Sequence, residues 1–274
     1  MIQYKTPQIC IFESALYRTT CTLVQTPEML LLVDPNWLPR EVYRIRQFVQ
    51  ETRQGRPLYL LFTHSDYDHI LGWKAFPDAT VIASRAFVRQ PQKEKILEQI
   101  HKFDEEYYLD RDYDIEYPKV DIEISEDGQV LELEGVRLRF WRSPGHTADG
   151  LFTLVENTAT WIAGDYLSNM EFPFISYSSS AYEKTLEKAR YIIDEYQSAL
   201  LIPGHGDATG DRIEMLRRWQ ESLEYIDKLK TAVETGKPFP EDLLWQRYPH
   251  RRGLEGPHRE NMEFLRKEQG KERL

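Results

Sequence analysis

Between Leu58 and His69 the chain passes from five apolar residues, Leu58-Tyr59-Leu60-Leu61-Phe62, into Thr63-His64-Ser65-Asp66-Tyr67-Asp68-His69. An apolar run of that length behind Pro57 reads as a buried strand, and Thr63 opens the loop at its carboxyl end. Loops leaving that end of a strand are where α/β proteins usually place their chemistry. Imidazole and carboxylate are donors for zinc, iron or manganese. Four of them within six positions can converge on one or two ions.

Three later segments repeat the design. Ser143-Pro144-Gly145-His146-Thr147 follows the alternating stretch Val136–Trp141. Trp161-Ile162-Ala163-Gly164-Asp165 ends an apolar run in a carboxylate. Leu200-Leu201-Ile202-Pro203-Gly204-His205-Gly206 ends one in an imidazole. In each, a short apolar segment delivers one ligand-type residue at a glycine-containing turn.

This ordered set resembles the metallo-β-lactamase superfamily, whose pattern is His-x-His-x-Asp-His followed by a distant His, an Asp and a final His. The resemblance runs from the N-terminal strands to about Gly206. It implies a four-layer αββα sandwich, of mixed α/β (α+β) class, with a binuclear metal centre at one edge of its sheets. Carried over by position, one metal site is His64, Asp66 and His146. The other is Asp68, His69 and His205, with Asp165 bridging. Asp66 departs from the family pattern, which has histidine there. Asp34, closing the apolar run Met29–Val33, matches an aspartate that supports the metal loops in that family; a turn or helix-cap role reads equally well.

The implied reaction is hydrolysis of a small ester, thioester, lactone or phosphodiester by a metal-bound hydroxide. Asp68 would orient that hydroxide as the catalytic carboxylate, and Tyr67, Tyr166 and Tyr177 are candidates for oxyanion contact. The cofactors are two divalent ions, zinc or, with the extra hard carboxylate of Asp66, iron or manganese. Asp66 also leaves room for two other readings. One is a di-iron redox protein like the flavodiiron oxygen and nitric-oxide reductases, though the chain has no room for their flavodoxin domain. The other is a non-catalytic metal-binding protein.

Composition narrows the partners. Forty-five acidic residues against 35 basic give a net charge of −10, contrary to the basic surface that non-specific nucleic-acid binding needs. No 18-residue apolar run suggests a membrane span, and the start, Met1-Ile2-Gln3-Tyr4-Lys5, lacks a signal-peptide pattern. Cys10 and Cys21 read as buried free thiols. The expectation is a cytoplasmic protein with a small-molecule substrate; assembly into a homo-oligomer is left open.

Periodicity fills in the rest. Residues 8–13, 19–25, 29–33, 80–83, 119–124, 129–133, 136–142, 151–155 and 159–163 read as strands. Helices are expected over 38–54, over most of 84–110 with a break at Pro91, from Ile70, and over 181–198, 211–235 and 258–267. Residues 1–274 read as one domain, with 237–274 an extension packed beside the site or an adjacent subunit. His101 and His258 read as surface histidines. Residues 166–180 read as a substrate wall. The acidic, tyrosine-rich 104–117 reads first as a solvated face, and alternatively as a pocket wall or dimer contact. Specificity is expected in 104–117, 166–180 and the tail.

Overall fold

The computed structural model of the protein describes residues 1–196 and 200–270. The described residues build two sheets. In spatial order the first comprises β1 (Ile2–Lys5), β2 (Ile9–Glu13), β3 (Thr20–Gln25), β4 (Leu30–Val33), β5 (Leu58–Leu61), β6 (Thr80–Ser84) and β7 (Ile122–Ile124). The second comprises β8 (Gln129–Leu133), β9 (Val136–Arg142), β10 (Leu151–Val155), β11 (Thr160–Ile162) and β12 (Leu200–Ile202). β1 to β4 pair antiparallel and β4 to β7 parallel. β8 to β11 pair antiparallel, and β12 joins β11 in parallel. The α-helices among the described residues are α1 (Pro39–Arg53), α2 (Tyr67–Ile70), α3 (Arg85–Val88), α4 (Lys93–Glu106), α5 (Ser179–Glu195), α6 (Arg212–Thr235), α7 (Glu241–Arg247) and α8 (Arg251–Glu268).

The central strands are apolar on both faces because both are covered. Successive side chains point to opposite sides. Leu31 and Val33 of β4 and Tyr59 and Leu61 of β5 therefore meet Leu138, Phe140, Leu151 and Val155 between the sheets. Their neighbours Leu30, Leu32 and Leu60 face out onto Val42, Ile45 and Val49 of α1 and Ile96 and Ile100 of α4. On the far side, Phe152, Leu154 and Trp161 pack under Leu186, Ala189 and Ile193 of α5 and Ile226 and Leu229 of α6. The result is the αββα sandwich expected from the sequence.

Several elements differ from expectation. β1 and α7 carry too little apolar periodicity to be read from sequence. β7 is shorter than 119–124. The helix expected over 181–198 starts earlier, at Ser179, where the Ser178 hydroxyl accepts from the Ala181 N–H. It is helical to Glu195, and Gln197 and Ser198 lie outside the described residues. The helix expected from Ile70 instead begins inside the donor loop, as the single turn α2.

The tail departs most. α8 starts at Arg251, seven residues before the expected start, and carries Pro257 within it. A proline inside a helix costs about 3 kcal/mol. Here the helix buries a stripe of Leu254, His258, Asn261 and Leu265 at helical spacing, which offsets that cost. His258 is thus a buried mid-helix residue, ringed by Tyr225, Phe239 and Trp245, and the surface reading is corrected. His101 is exposed as expected.

In 104–117, Asp104 holds Arg111 through two hydrogen bonds of 2.7 Å. Tyr113, Ile115 and Tyr117 pack on the outer layer of the first sheet. Tyr107 and Tyr108 are exposed. The segment is part solvated face and part core cover. Cys10 and Cys21 are free and buried, and no helix among the described residues is long and apolar enough to cross a membrane.

Phe140 is fully buried between the sheets. Phe140→Ala is expected to lower unfolding free energy by about 3–5 kcal/mol through lost burial and the cavity left behind, read as a reduced urea midpoint at unchanged slope.

Candidate metal centre

The donor loop leaves β5 at the point where the two sheets come together. The Leu151 N–H donates to the Thr63 carbonyl at 2.8 Å, tying the start of β10 to the loop. β11 and β12 lie parallel with Trp161 beside Leu201, so their following turns emerge side by side. There the Gly204 N–H donates to the Gly164 carbonyl at 2.6 Å. A Cβ on Gly204 would lie 2.1 Å from Asp165 Oδ1, so only glycine lets the carboxylate occupy its place. Gly145, before His146, has φ +139° and backs onto the Tyr182 backbone, which again requires glycine.

These turns bring all seven sequence-derived donors together. One group is His64, Asp66, His146 and Asp165; the other is Asp68, His69 and His205, and within each group the donor atoms lie within 4.8 Å of one another. Asp165 sits between them. Its Oδ2 is 3.5 Å from His64 Nε2, 3.3 Å from His146 Nε2 and 3.4 Å from His205 Nε2, and its Oδ1 is 3.3 Å from His69 Nε2. Asp66 Oδ2 lies 3.1 Å from His146 Nε2 and 3.7 Å from His64 Nε2. Asp68 Oδ2 lies 3.5 Å from His205 Nε2 and 3.6 Å from His69 Nε2.

Each imidazole is oriented through its other nitrogen. His64 Nδ1 contacts Thr63 Oγ1 at 3.0 Å, and His69 Nδ1 contacts Asp34 Oδ2 at 3.0 Å. His146 Nδ1 contacts the Phe174 carbonyl and His205 Nδ1 the Tyr17 carbonyl, both at 2.9 Å. With every Nδ1 engaged, all four Nε2 atoms turn to the centre, the arrangement that orients histidine ligands. His64 Nε2, His69 Nε2 and Asp165 Oδ1 are buried with no hydrogen-bond partner. Buried polar atoms are costly when unpaired, and divalent ions would engage these, so the donor set fits the metals that the sequence implies.

Asp34 resolves the choice left open by the sequence. Its Oδ1 accepts from the Thr63 N–H at 3.0 Å, and its Oδ2 accepts from Thr63 Oγ1 at 2.6 Å besides facing His69. It braces the loop from behind. Charges within the cluster set its protonation. Burial disfavours the Asp66 carboxylate, but the hydrogen bond from His146 and the charges of His146 and His64 outweigh it and hold Asp66 at about 2. Burial likewise disfavours the His205 cation, yet Glu171 and Asp165 raise it to about 10. Glu171 itself is pushed up to about 7 by burial.

A cavity of about 970 Å³ opens over Asp66, Asp68, Asp165, His146 and His205. Tyr17 and Tyr67, both packed on Trp37, form an aromatic side. Met170, Glu171 and Phe174 supply the wall expected from 166–180, and the start of α8 supplies another. No residue of 104–117 lines it, which corrects the specificity expectation for that segment. Of the tyrosine candidates only Tyr67 reaches the cavity. Tyr166 is buried, its hydroxyl contacting the Ser143 and Pro144 carbonyls and the His146 N–H. Tyr177 is exposed away from the lining. Both are corrected. Glu171 lies inside the expected 166–180 wall, whereas the sequence reading missed Tyr17 and Arg18. Tyr17 and Arg18 sit in left-handed backbone, at φ 50° and 51°, with no glycine to signal the turn.

The model of the metallo-beta-lactamase superfamily matches residues 16–205, well over half of the chain. The chain belongs to this superfamily. A curated relative, an atrochrysone carboxyl ACP thioesterase of Emericella nidulans, is 26% identical over 129 residues, spanning 44% of this chain and 40% of that protein. The chain thus matches well under half of that relative's length. Among solved structures, a metallo-beta-lactamase family protein of Thermus thermophilus aligns with TM-score 0.65 at 18% identity, over 96% of this chain and 94% of its own. A stereoselective inverting sec-alkylsulfatase of a Pseudomonas species aligns with TM-score 0.65 at 13% identity, over 85% of this chain and 42% of its own. At such identities the structures share the superfamily fold. The superfamily's enzymes are mostly hydrolytic.

Asp34→Ala is expected to weaken metal binding about 10- to 100-fold, because it frees both His69 and the loop at Thr63. Competition with a chelator of known affinity reads this directly.

Proposed function

We infer that the protein is a binuclear metal-dependent hydrolase of a small-molecule ester or thioester. The observation that carries this is the convergence of four Nε2 atoms and three aspartates, each imidazole fixed through Nδ1, beneath a cavity of substrate size. His64, Asp66 and His146 would hold one ion, Asp68, His69 and His205 the other, and Asp165 both. Bound divalent ions supply a water ionised near neutral pH and polarise the oxygen under attack.

The chain's own residues do the rest. Asp68 lies at the cavity floor with Thr19 Oγ1 donating to it at 3.4 Å, placed to accept and hold a proton. Tyr67, on the cavity side, is the remaining tyrosine candidate for contact with a developing oxyanion. The thioesterase among the relatives supports an acyl substrate over a phosphodiester. The net charge of −10 supports a small molecule over nucleic acid. The free thiols of Cys10 and Cys21 fit a reducing cytoplasm.

Asp66 bears on which metal binds. A third carboxylate beside four imidazoles shifts preference from zinc towards iron or manganese. Its Oδ2 lies within 3.7 Å of both histidine nitrogens of its group, which supports direct ligation without a bridging water. The same residue supports the second reading, a di-iron redox protein. Anaerobic loading with iron followed by oxygen separates the two: a spectral change without ester turnover favours redox chemistry.

Protein purified without added metal is expected to hold close to two ions per chain by elemental analysis, and chelation to abolish turnover of a thioester panel. Full activity of stable, metal-free protein would rule the hydrolase reading out. Asp66→Ala should empty the His64–His146 side and leave the other occupied, whereas Asp66→His should raise zinc affinity there. Unchanged metal content in Asp66→Ala would remove Asp66 from the ligand set.

A further inference from the structure

The cavity over the donor cluster has a cationic wall. His250, Arg251 and Arg252, at the start of α8, all line it, in a chain whose net charge is −10. Their partners distinguish them. Arg251 donates to Glu255 at 2.5 Å and lies over the Trp245 ring. Arg18, elsewhere on the lining, is held by Glu13 and Asp207. The Arg252 side chain is exposed and has no hydrogen bond or ion pair among the described residues. The acidic residues on the lining are Asp66, Asp68 and Asp165 of the donor set, and Glu171, whose Oε1 is 4.0 Å from His205 Nδ1. None is paired with Arg252.

This wall is held in place. Asn261 of α8 donates to the Pro173 carbonyl at 2.7 Å and accepts from the Ile175 N–H at 2.8 Å. His258 Nδ1 meets the Tyr225 hydroxyl at 2.9 Å. The helix that presents Arg252 is therefore tied to the loop whose Phe174 carbonyl orients His146. Apolar surface from Leu254, Pro257 and Phe174 lines the same cavity. An unpaired guanidinium offers a planar fork suited to an oxyanion, and its fixed base reduces the ordering cost of binding.

We propose that Arg252, with His250 beside it, binds a terminal oxyanion of the substrate, a carboxylate or a phosphate, separated from the scissile bond by a short apolar stretch lying on Leu254 and Phe174. The location of the scissile bond rests on the hydrolase reading; the oxyanion site is a statement about binding and is tested as one. Zinc-loaded protein is titrated calorimetrically with glutarate, with its neutral dimethyl ester and with propyl phosphate. The wild type should bind at least one of the two anions more tightly than the neutral ester. The preferred anion identifies carboxylate or phosphate. Arg252→Ala should weaken that anion about fivefold, the scale of a partly exposed ion pair, and Arg252→Lys should recover part of the loss. Equal affinity of wild type and Arg252→Ala for both anions, or anions bound no better than the neutral ester, would overturn the proposal. Since the readout is binding, its failure is separate from a failure to find any hydrolysed substrate.

Discussion

One buried carboxylate holds the donor loop together. Asp34 accepts from both the backbone and the hydroxyl of Thr63 and faces His69, so it fixes where the loop leaves β5 and how one of its imidazoles is turned. Seven donors that repel or compete in the absence of ions can stay converged only if each is held from outside. The structure does this four times over, with Thr63, Asp34, Phe174 and Tyr17 each engaging one Nδ1. The site is built by backbone and buried side chains that never reach its centre.

The two sheets set the distances. Parallel pairing of β4 with β5 and of β11 with β12 places their carboxyl ends at a common edge. The Leu151–Thr63 bond joins the edges of the two sheets. His146, Asp165 and His205 then need only short glycine turns to reach His64 and His69. The apolar layer between the sheets, from Leu31 to Phe140, keeps those edges in register.

The tail extends this scaffold to the cavity. Through Asn261 and His258, α8 binds α6 and the 172–175 loop. One helix thus serves two ends: its middle steadies the loop that orients His146, and its start forms the wall bearing Arg252. The acid-rich segment 104–117 has no part in this, because its Asp104–Arg111 pair and half-buried Tyr113 and Tyr117 turn it back onto the outer layer of the first sheet.

The sequence by itself carried the donors and their order, because local chemistry encodes them, and the sandwich followed from the family resemblance which that order supports. Apolar runs closed by glycine turns announce strands that deliver one residue each, and His64, Asp66, Asp68 and His69 share a single loop. The role of Asp34 was half legible, since an aspartate after a strand caps a turn as readily as it braces a ligand. Tyr17 and Arg18 were beyond the sequence, as was the burial of Tyr166 and His258. Their places follow from contacts between residues far apart in the chain, such as Tyr17 with His205 and Asn261 with Pro173. Only the tertiary structure settled which walls the cavity has, because a helix started seven residues early when packing a buried stripe outweighed the local cost of Pro257.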